Sequence, residues 1–286
     1  MIKLTPFVAN SMVMKRLLTI VLSLCLALTA TAQSGKVVMK AVKCNTLYSK
    51  ISVGPAIKVI VEDRSEGNII IRATESIIDF VKLEISGEEL SVGYKKDMHF
   101  NPKSGRTFAE VYIPNNGKLS DFTVAAASIV DVKPKLSVQN LNIECIGASV
   151  ISLSAVSQSA DVEIVCASNA TLEIISSEID CKIMGAAKAT ITGSATKAEV
   201  DISGASSLKA AEFKASQLTA DISGASKATL AADMADIEVS GASNANIACT
   251  TLLKADASGA SSIRYSGECQ VSVANNSGAS KIKKEE

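Results

Sequence analysis

The residues of this chain whose type and spacing could do chemistry form a column of carboxylates. Glu144, Glu163, Asp201, Asp221, Glu238 and Asp256 recur at a nearly constant interval, with Lys182 occupying one place in the series. Clustered carboxylates are what a Ca²⁺ site asks for, because that ion prefers several oxygen ligands. A close pair could instead serve a glycoside hydrolase as acid and nucleophile or base. A polysaccharide lyase would add an Arg or Lys base, and Arg264 is the only Arg beyond Arg106. No irregular segment interrupts the row to build a cleft. The row therefore reads first as a solvated face, with calcium binding as the weaker alternative. A basic series, Lys188, Lys209, Lys227, Arg264, Lys281 and Lys283, follows on the other side of each repeat and balances it. No catalytic residue and no cofactor is assigned.

A second candidate is the segment from Tyr94 to Phe108. Tyr94, Lys96, His99, Phe100, Lys103 and Arg106 interleave basic groups with rings, a composition suited to an anionic glycan. The plain alternative is a long hairpin loop. His99 is the single His of 286 residues, which leaves a His-based metal centre or a Ser/His/Asp triad without its parts. Lys and Arg total 29 against 29 Asp and Glu, so the clustered basic charge that phosphate binding needs is missing. Nucleic acid is thus excluded as the main partner. Hydrophobic residues at 47% and charged residues at 20% argue against a disordered chain.

The elements that must position these residues are short repeats. Gly-Ala-Ser occurs at Gly147, Gly204, Gly224, Gly241, Gly259 and Gly278, with near copies at 126–128, 166–168 and at Gly185. The central Ala positions, 127, 148, 167, 186, 205, 225, 242, 260 and 279, are separated by steps of 17 to 21 residues averaging about 19. Four residues before each Gly stand Ile143, Val162, Cys181, Val200, Ala220, Ile237, Ala255 and Ala274. Two before it stand Cys145, Ile164, Ile183, Ile202, Ile222, Val239, Ala257 and Asn276, and the carboxylates fall between. Apolar, polar, apolar is the alternation of a strand with one buried face. It resumes after the corner, for instance at Ile151 and Leu153. Each repeat is predicted as strand, Gly-Ala-Ser corner, strand and a more variable return segment. So short a repeat suits one coil of a parallel β-helix, with adjacent coils about 4.8 Å apart. Gly would supply the backbone freedom at the corner, Ala would stack inside the bend, and Ser hydroxyls would bond to neighbouring backbone. A narrow interior of small and β-branched residues accounts for aromatics at only 3%.

Three segments are expected along the chain. Residues 1–32 read as an export signal: Met14-Lys15-Arg16, an apolar run Leu17 to Leu28, then Ala30-Thr31-Ala32 as the cleavage site, with 1–13 as an upstream extension. Cys25 lies inside the apolar run behind Leu24, which is too bulky for a lipobox. Residues 33–125 are expected to form wider β coils or a capping β-layer, with strand-like runs at 50–61, 68–74, 81–86, 89–94, 107–113 and 121–125. Residues 126–286 carry the repeats, continuous with the preceding segment, and the charged tail from Lys281 would protect the far edge. No second stretch reaches membrane-spanning length. The mature chain has Cys44, Cys145, Cys166, Cys181, Cys249 and Cys269, an even number without a zinc-type spacing. Cys249 and Cys269, ten and nine residues before the next corner, are the best candidate pair, although buried thiols are the expected state.

The export signal, the run Ile51 to Val61 with its Ile-Ser-Val-Gly-x-Ala-Ile-Lys-Val pattern, and the serial Gly-Ala-Ser corners resemble the head-GIN-domain family of putative auto-transporter adhesins over roughly residues 36–280. The resemblance implies a right-handed parallel β-helix exported by Gram-negative bacteria. It carries over no catalytic residue. The function expected is an exported, non-catalytic binding or adhesion module of the cell envelope, periplasmic or at the surface, with a glycan or protein ligand. A β-helix carbohydrate-active enzyme and a structural envelope component are the alternatives.

Overall fold

The computed structural model describes residues 35–44, 46–64, 67–96, 98 and 107–285; the expected export signal lies outside them. These residues form an all-β molecule whose strands hydrogen-bond into one continuous sheet, with one 3₁₀ turn at Ile78–Phe80. A β-solenoid of about 9 turns with about 19 residues per turn runs between residues 121 and 284, as the repeat spacing predicts.

The first strands are β1 (Val37–Lys43), β2 (Lys50–Val53), β3 (Lys58–Glu62), β4 (Asn68–Thr74), β5 (Val81–Ser86), β6 (Glu89–Tyr94) and β7 (Ala109–Pro114). The run 50–61 is not the single strand expected. It breaks between β2 and β3 at a corner where Ala56 adopts φ 54° and donates its N–H to Ala126 O at 3.0 Å. This is a coil of the solenoid: β2 and β3 pair in parallel with β8 (Asp121–Val124) and β9 (Ile129–Ser137) of the next coil. The segment between them is an excursion that covers the end. On their other side β2 and β3 pair with β6 and β7, which in turn pair antiparallel with β5 and β4. β1, whose alternation drew no strand prediction, adds antiparallel to β4. The strand edge of the first coil is thereby covered.

The repeats follow as β10 (Asn140–Cys145), β11 (Val150–Val156), β12 (Ser159–Cys166), β13 (Asn169–Gly185), β14 (Lys188–Ile202), β15 (Ser207–Lys209), β16 (Phe213–Ile222), β17 (Lys227–Val239), β18 (Asn244–Ala257), β19 (Ser262–Ser266), β20 (Gln270–Asn276) and β21 (Lys281–Lys284). Each pairs in parallel with its equivalent one coil on, in the register of the sequence columns: Ile143↔Val162, Val162↔Cys181, Cys181↔Val200, Val200↔Ala220, Ala220↔Ile237 and Ile237↔Ala255. All of these side chains are buried, as is the column two residues on, through Ala257. In the last coil the column slips by one residue: Ala255 faces Val273, not Ala274.

The corners are built differently from the expectation in one respect. The Ala is at the outer tip and exposed, and the Ser turns inward: Ser149, Ser226 and Ser243 are fully buried. The buried hydroxyls do bond to backbone. Ser149 Oγ donates to Ile146 O at 2.8 Å, and Ser261 Oγ donates to Val239 O at 3.0 Å. Ser243 Oγ accepts the N–H of Ser226 at 3.2 Å. The corner glycines have φ between 69° and 88°, and from Gly185 to Gly259 their carbonyls accept the next coil's Ala N–H, as in Ala225 N–H to Gly204 O at 2.7 Å. Backbone therefore stacks on backbone, and a Cβ on Gly224 would lie 2.4 Å from Gly204 O. Left-handed backbone and close approach select Gly together.

The return segment is strand rather than irregular. β13 runs from one corner to the next, and its alternation breaks where Ser177 and Glu178 both face out. The same doubling occurs at Thr196-Lys197, Ser216-Gln217 and Asp233-Met234, and marks a second bend in each coil. Between β17 and β18 the difference in coil length is absorbed there, at the register shift between Ala232 and Met234, whereas β9 and β11 shift register between Ser152 and Ser154 and the coil of β15 and β16 takes up its extra residue at 210–212.

Candidate functional site

The columns that alternate with the buried ones face outward on the strands before the corner. Strand register brings the predicted carboxylates into one ladder: Glu144↔Glu163, Glu163↔Lys182, Lys182↔Asp201, Asp201↔Asp221, Asp221↔Glu238 and Glu238↔Asp256. A second acidic row lies beside it and was missed. Asp121, Asn142, Asp161, Asp180, Glu199, Thr219, Asp236 and Lys254 are in successive register two residues earlier. The signal was present in the same alignment, five residues before the Gly position of each corner.

The rows form a face, not a metal cage. Among the described residues, no three His, Cys, Asp or Glu side chains are grouped so as to hold a metal ion. Strand spacing keeps neighbouring carboxylates in a line, exposed or half-buried, with Asp180 Oδ1 buried and without a partner, and two charges 4 Å apart in water interact by only about 1 kcal/mol. Lysines within the face reduce the repulsion further. Lys182 Nζ reaches Asp180 at 3.2 Å and Lys254 Nζ reaches Asp236 at 2.8 Å, and those hydrogen bonds raise both ammonium pKa values. At the capped end, Lys50 lies 3.7 Å from Asp121. There the face sinks into a shallow depression of about 450 Å³ lined by Lys50, Glu89, Asp121, Glu144, Asp161 and Glu163.

Across the corner ridge the charge reverses. Lys188, Ser207, Lys227, Asn244, Ser262 and Lys281 form one outward row. Thr190, Lys209, Thr229, Asn246, Arg264 and Lys283 form the next. These two rows hold six basic groups and no carboxylate. Among the described residues no ion pair joins them to the acidic rows, so the two faces present their charges separately to solvent.

The second candidate site is only partly in view. Tyr94 ends β6 and packs against the core, where burial pushes its hydroxyl pKa up to about 12; Lys96 is exposed just beyond it. His99, Phe100, Lys103 and Arg106 lie outside the described residues. The seven corner residues Gly147, Gly185, Gly204, Gly224, Gly241, Gly259 and Gly278 all have the left-handed backbone expected of them. Among the described residues Cys44, Cys145, Cys166, Cys181, Cys249 and Cys269 are free thiols, with Cys145, Cys181 and Cys249 buried.

Solved structures share this fold. A putative adhesin from Parabacteroides merdae is 18% identical, with a TM-score of 0.65 over 88% of this chain and 97% of its own. A putative adhesin from Parabacteroides distasonis is 20% identical, with a TM-score of 0.63 over 87% and 97%. A putative lipid binding protein from P. distasonis is 14% identical, with a TM-score of 0.62 over 89% and 98%. At such identities the likeness is one of fold. No curated protein matches the chain. The family described as "Putative auto-transporter adhesin, head GIN domain" matches residues 47–234, from the capped first coil to the second bend of β17. That match takes in well over half of the sequence and both flanks of the corner ridge, and the chain belongs to this family.

Proposed function

We propose that this protein is an exported, non-catalytic binding or adhesion module of the cell envelope that holds its ligand on flat charged faces rather than in a pocket. The observation that carries the reading is the pair of registered faces, acidic before the corner and basic with hydroxyl and amide groups after it. Each extends over several coils, and among the described residues of those coils no inserted loop encloses a small substrate. Extended, repetitive faces suit an extended partner, a glycan chain or a protein surface. Family membership supports adhesion, and the names of two solved neighbours point the same way. The leader-like 14–32 segment supports export. Among the described residues no helix is long and apolar enough to cross a membrane.

The test is a glycan and matrix-protein array, with anionic lipid vesicles as a further arm. Three proteins are compared: the wild type, a basic-face variant (Lys188→Glu, Lys209→Glu, Lys227→Glu) and an acidic-face variant (Glu163→Lys, Asp201→Lys, Asp221→Lys). The expected result is a bound ligand class that one variant loses and the other keeps. A blank array, or equal binding by all three, overturns the reading. Appearance of unsaturated uronate absorbance on incubation with anionic polysaccharide and Ca²⁺ would replace it with the enzymatic alternative.

A further inference from the structure

At the end opposite the cap, the described residues finish on an exposed coil. β20 is exposed along its whole length, and Val271 and Val273, which would face a further coil, are 36% and 51% exposed. β21 carries Lys281, Lys283 and Lys284, but β20 carries no charge, so the expected protection of this edge by charge covers only one of its two strands. Two cysteines meet at this point. Cys249 sits at the second bend of β18, where its Sγ lies 3.2 Å from Leu252 O and 3.4 Å from Asp233 O. The next coil crosses over it: a Cβ on Gly267 would lie 2.2 Å from Cys249 O, and Leu252 pairs with Gln270. That register delivers Cys269 to the bend, where its side chain is a neighbour of the Cys249 thiol. Cys145 and Cys181 instead face apolar residues in the adjacent coils, Ile164 for the first and Val162 and Val200 for the second.

We propose that Cys249 and Cys269 are a dithiol that closes to a disulfide and clasps the uncapped last coil to the coil before it. The two differ in access in the way such a reaction needs. Cys269 is partly exposed, whereas Cys249 is buried and its thiol pKa is pushed up to about 11 by that burial and by the neighbouring Cys269. The oxidant is a disulfide donor. The Cys269 thiolate attacks one donor sulfur, forming a mixed disulfide and releasing one donor thiol. Cys249 then gives up its proton and attacks Cys269 Sγ, forming the intramolecular bond and expelling the second donor thiol. The protein loses two hydrogens and the donor disulfide becomes two thiols.

The reaction is read on the purified chain with glutathione disulfide as donor, so its outcome is independent of where the protein resides and of what it binds. After oxidation under native conditions, alkylation and peptide mapping, the expected product is a peptide cross-linked between Cys249 and Cys269, with Cys145 and Cys181 alkylated only after unfolding. Amide exchange over 270–284 should slow by roughly tenfold or more relative to the reduced protein, because the clasp restricts local opening of the end coil. Cys269→Ser, which leaves the buried position intact, should give no cross-link and no change in exchange with oxidant. The proposal is overturned if Cys269 stops at its glutathione adduct while Cys249 is recovered alkylated, if another pair forms instead, or if exchange over 270–284 is the same in both states.

Discussion

At the corner, three adjacent residues have three separate tasks, and each can be tested alone. Gly224 has φ 79° and stacks its backbone on Gly204, while Ala225 is exposed at the tip. Gly224→Ala should lower stability by about 1–3 kcal/mol, since the added Cβ meets a backbone oxygen in a left-handed conformation. Ala225→Ser should stay within about 0.5 kcal/mol. Urea midpoints of the two variants measure the contrast, and equal midpoints would remove the stacking argument. The serines divide in a similar way. Ser243 Oγ accepts the buried Ser226 N–H, but Ser206 Oγ is buried without a partner. Ser243→Ala should therefore cost about 1–3 kcal/mol by orphaning an amide, and Ser206→Ala should be neutral or stabilising. Sequence showed the tripeptide and its spacing. Which residue points inward depends on the φ values of the turn, and Ala and Ser are both small enough to have been placed either way.

At the scale of the strand, burial separates central coils from the end coil although their sequences follow one pattern. Ile222 on β16 is fully buried between Ile202 and Val239, whereas Ile282 on β21 is half exposed with a partner on one side only. Ile222→Ala should cost about 2–5 kcal/mol and Ile282→Ala under about 1 kcal/mol, because only the first leaves a cavity closed on both sides. Thermal unfolding of both variants is the check, and similar losses would mean that the end coil is covered in solution. Period-2 alternation made the strands next to the corners legible with their register. The corner at 54–57 was not, because Gly-Pro-Ala differs from Gly-Ala-Ser and its partner corner lies beyond a long excursion. The second bends were missed for a related reason: two consecutive outward residues look like a loop until their backbone is seen to remain paired.

The whole molecule is a charged exterior around a titratable interior. Burial raises the thiol pKa to about 11 at Cys145 and about 12 at Cys181, and raises the Tyr94 hydroxyl to about 12. In the unfolded chain a thiol ionises near about 8.5. Below that value both states are protonated and nothing is lost. As pH rises above it, the unfolded state releases protons that the folded state retains, so stability falls progressively toward the folded pKa values. The urea midpoint should hold from neutral pH to about 8 and then decline toward pH 10, and Cys181→Ala should shallow the decline. A flat midpoint across that range would show that the thiols are not shielded as described. The exterior charges act differently: exposed and screened by salt, they contribute little to stability.

The amino-acid sequence alone determined the coil, its period, the inward columns and the acidic ladder, because in a solenoid equivalent positions stack and a repeat in sequence becomes a row in space. The tertiary structure decided what repetition cannot encode. It turned strands β1 and β4 to β7 into a cover for one end, brought Cys269 to the bend that holds Cys249, and turned the corner Ser rather than the Ala inward. Those outcomes depend on contacts between segments far apart in the chain, or on the backbone angles of a turn, and neither leaves a period to be read.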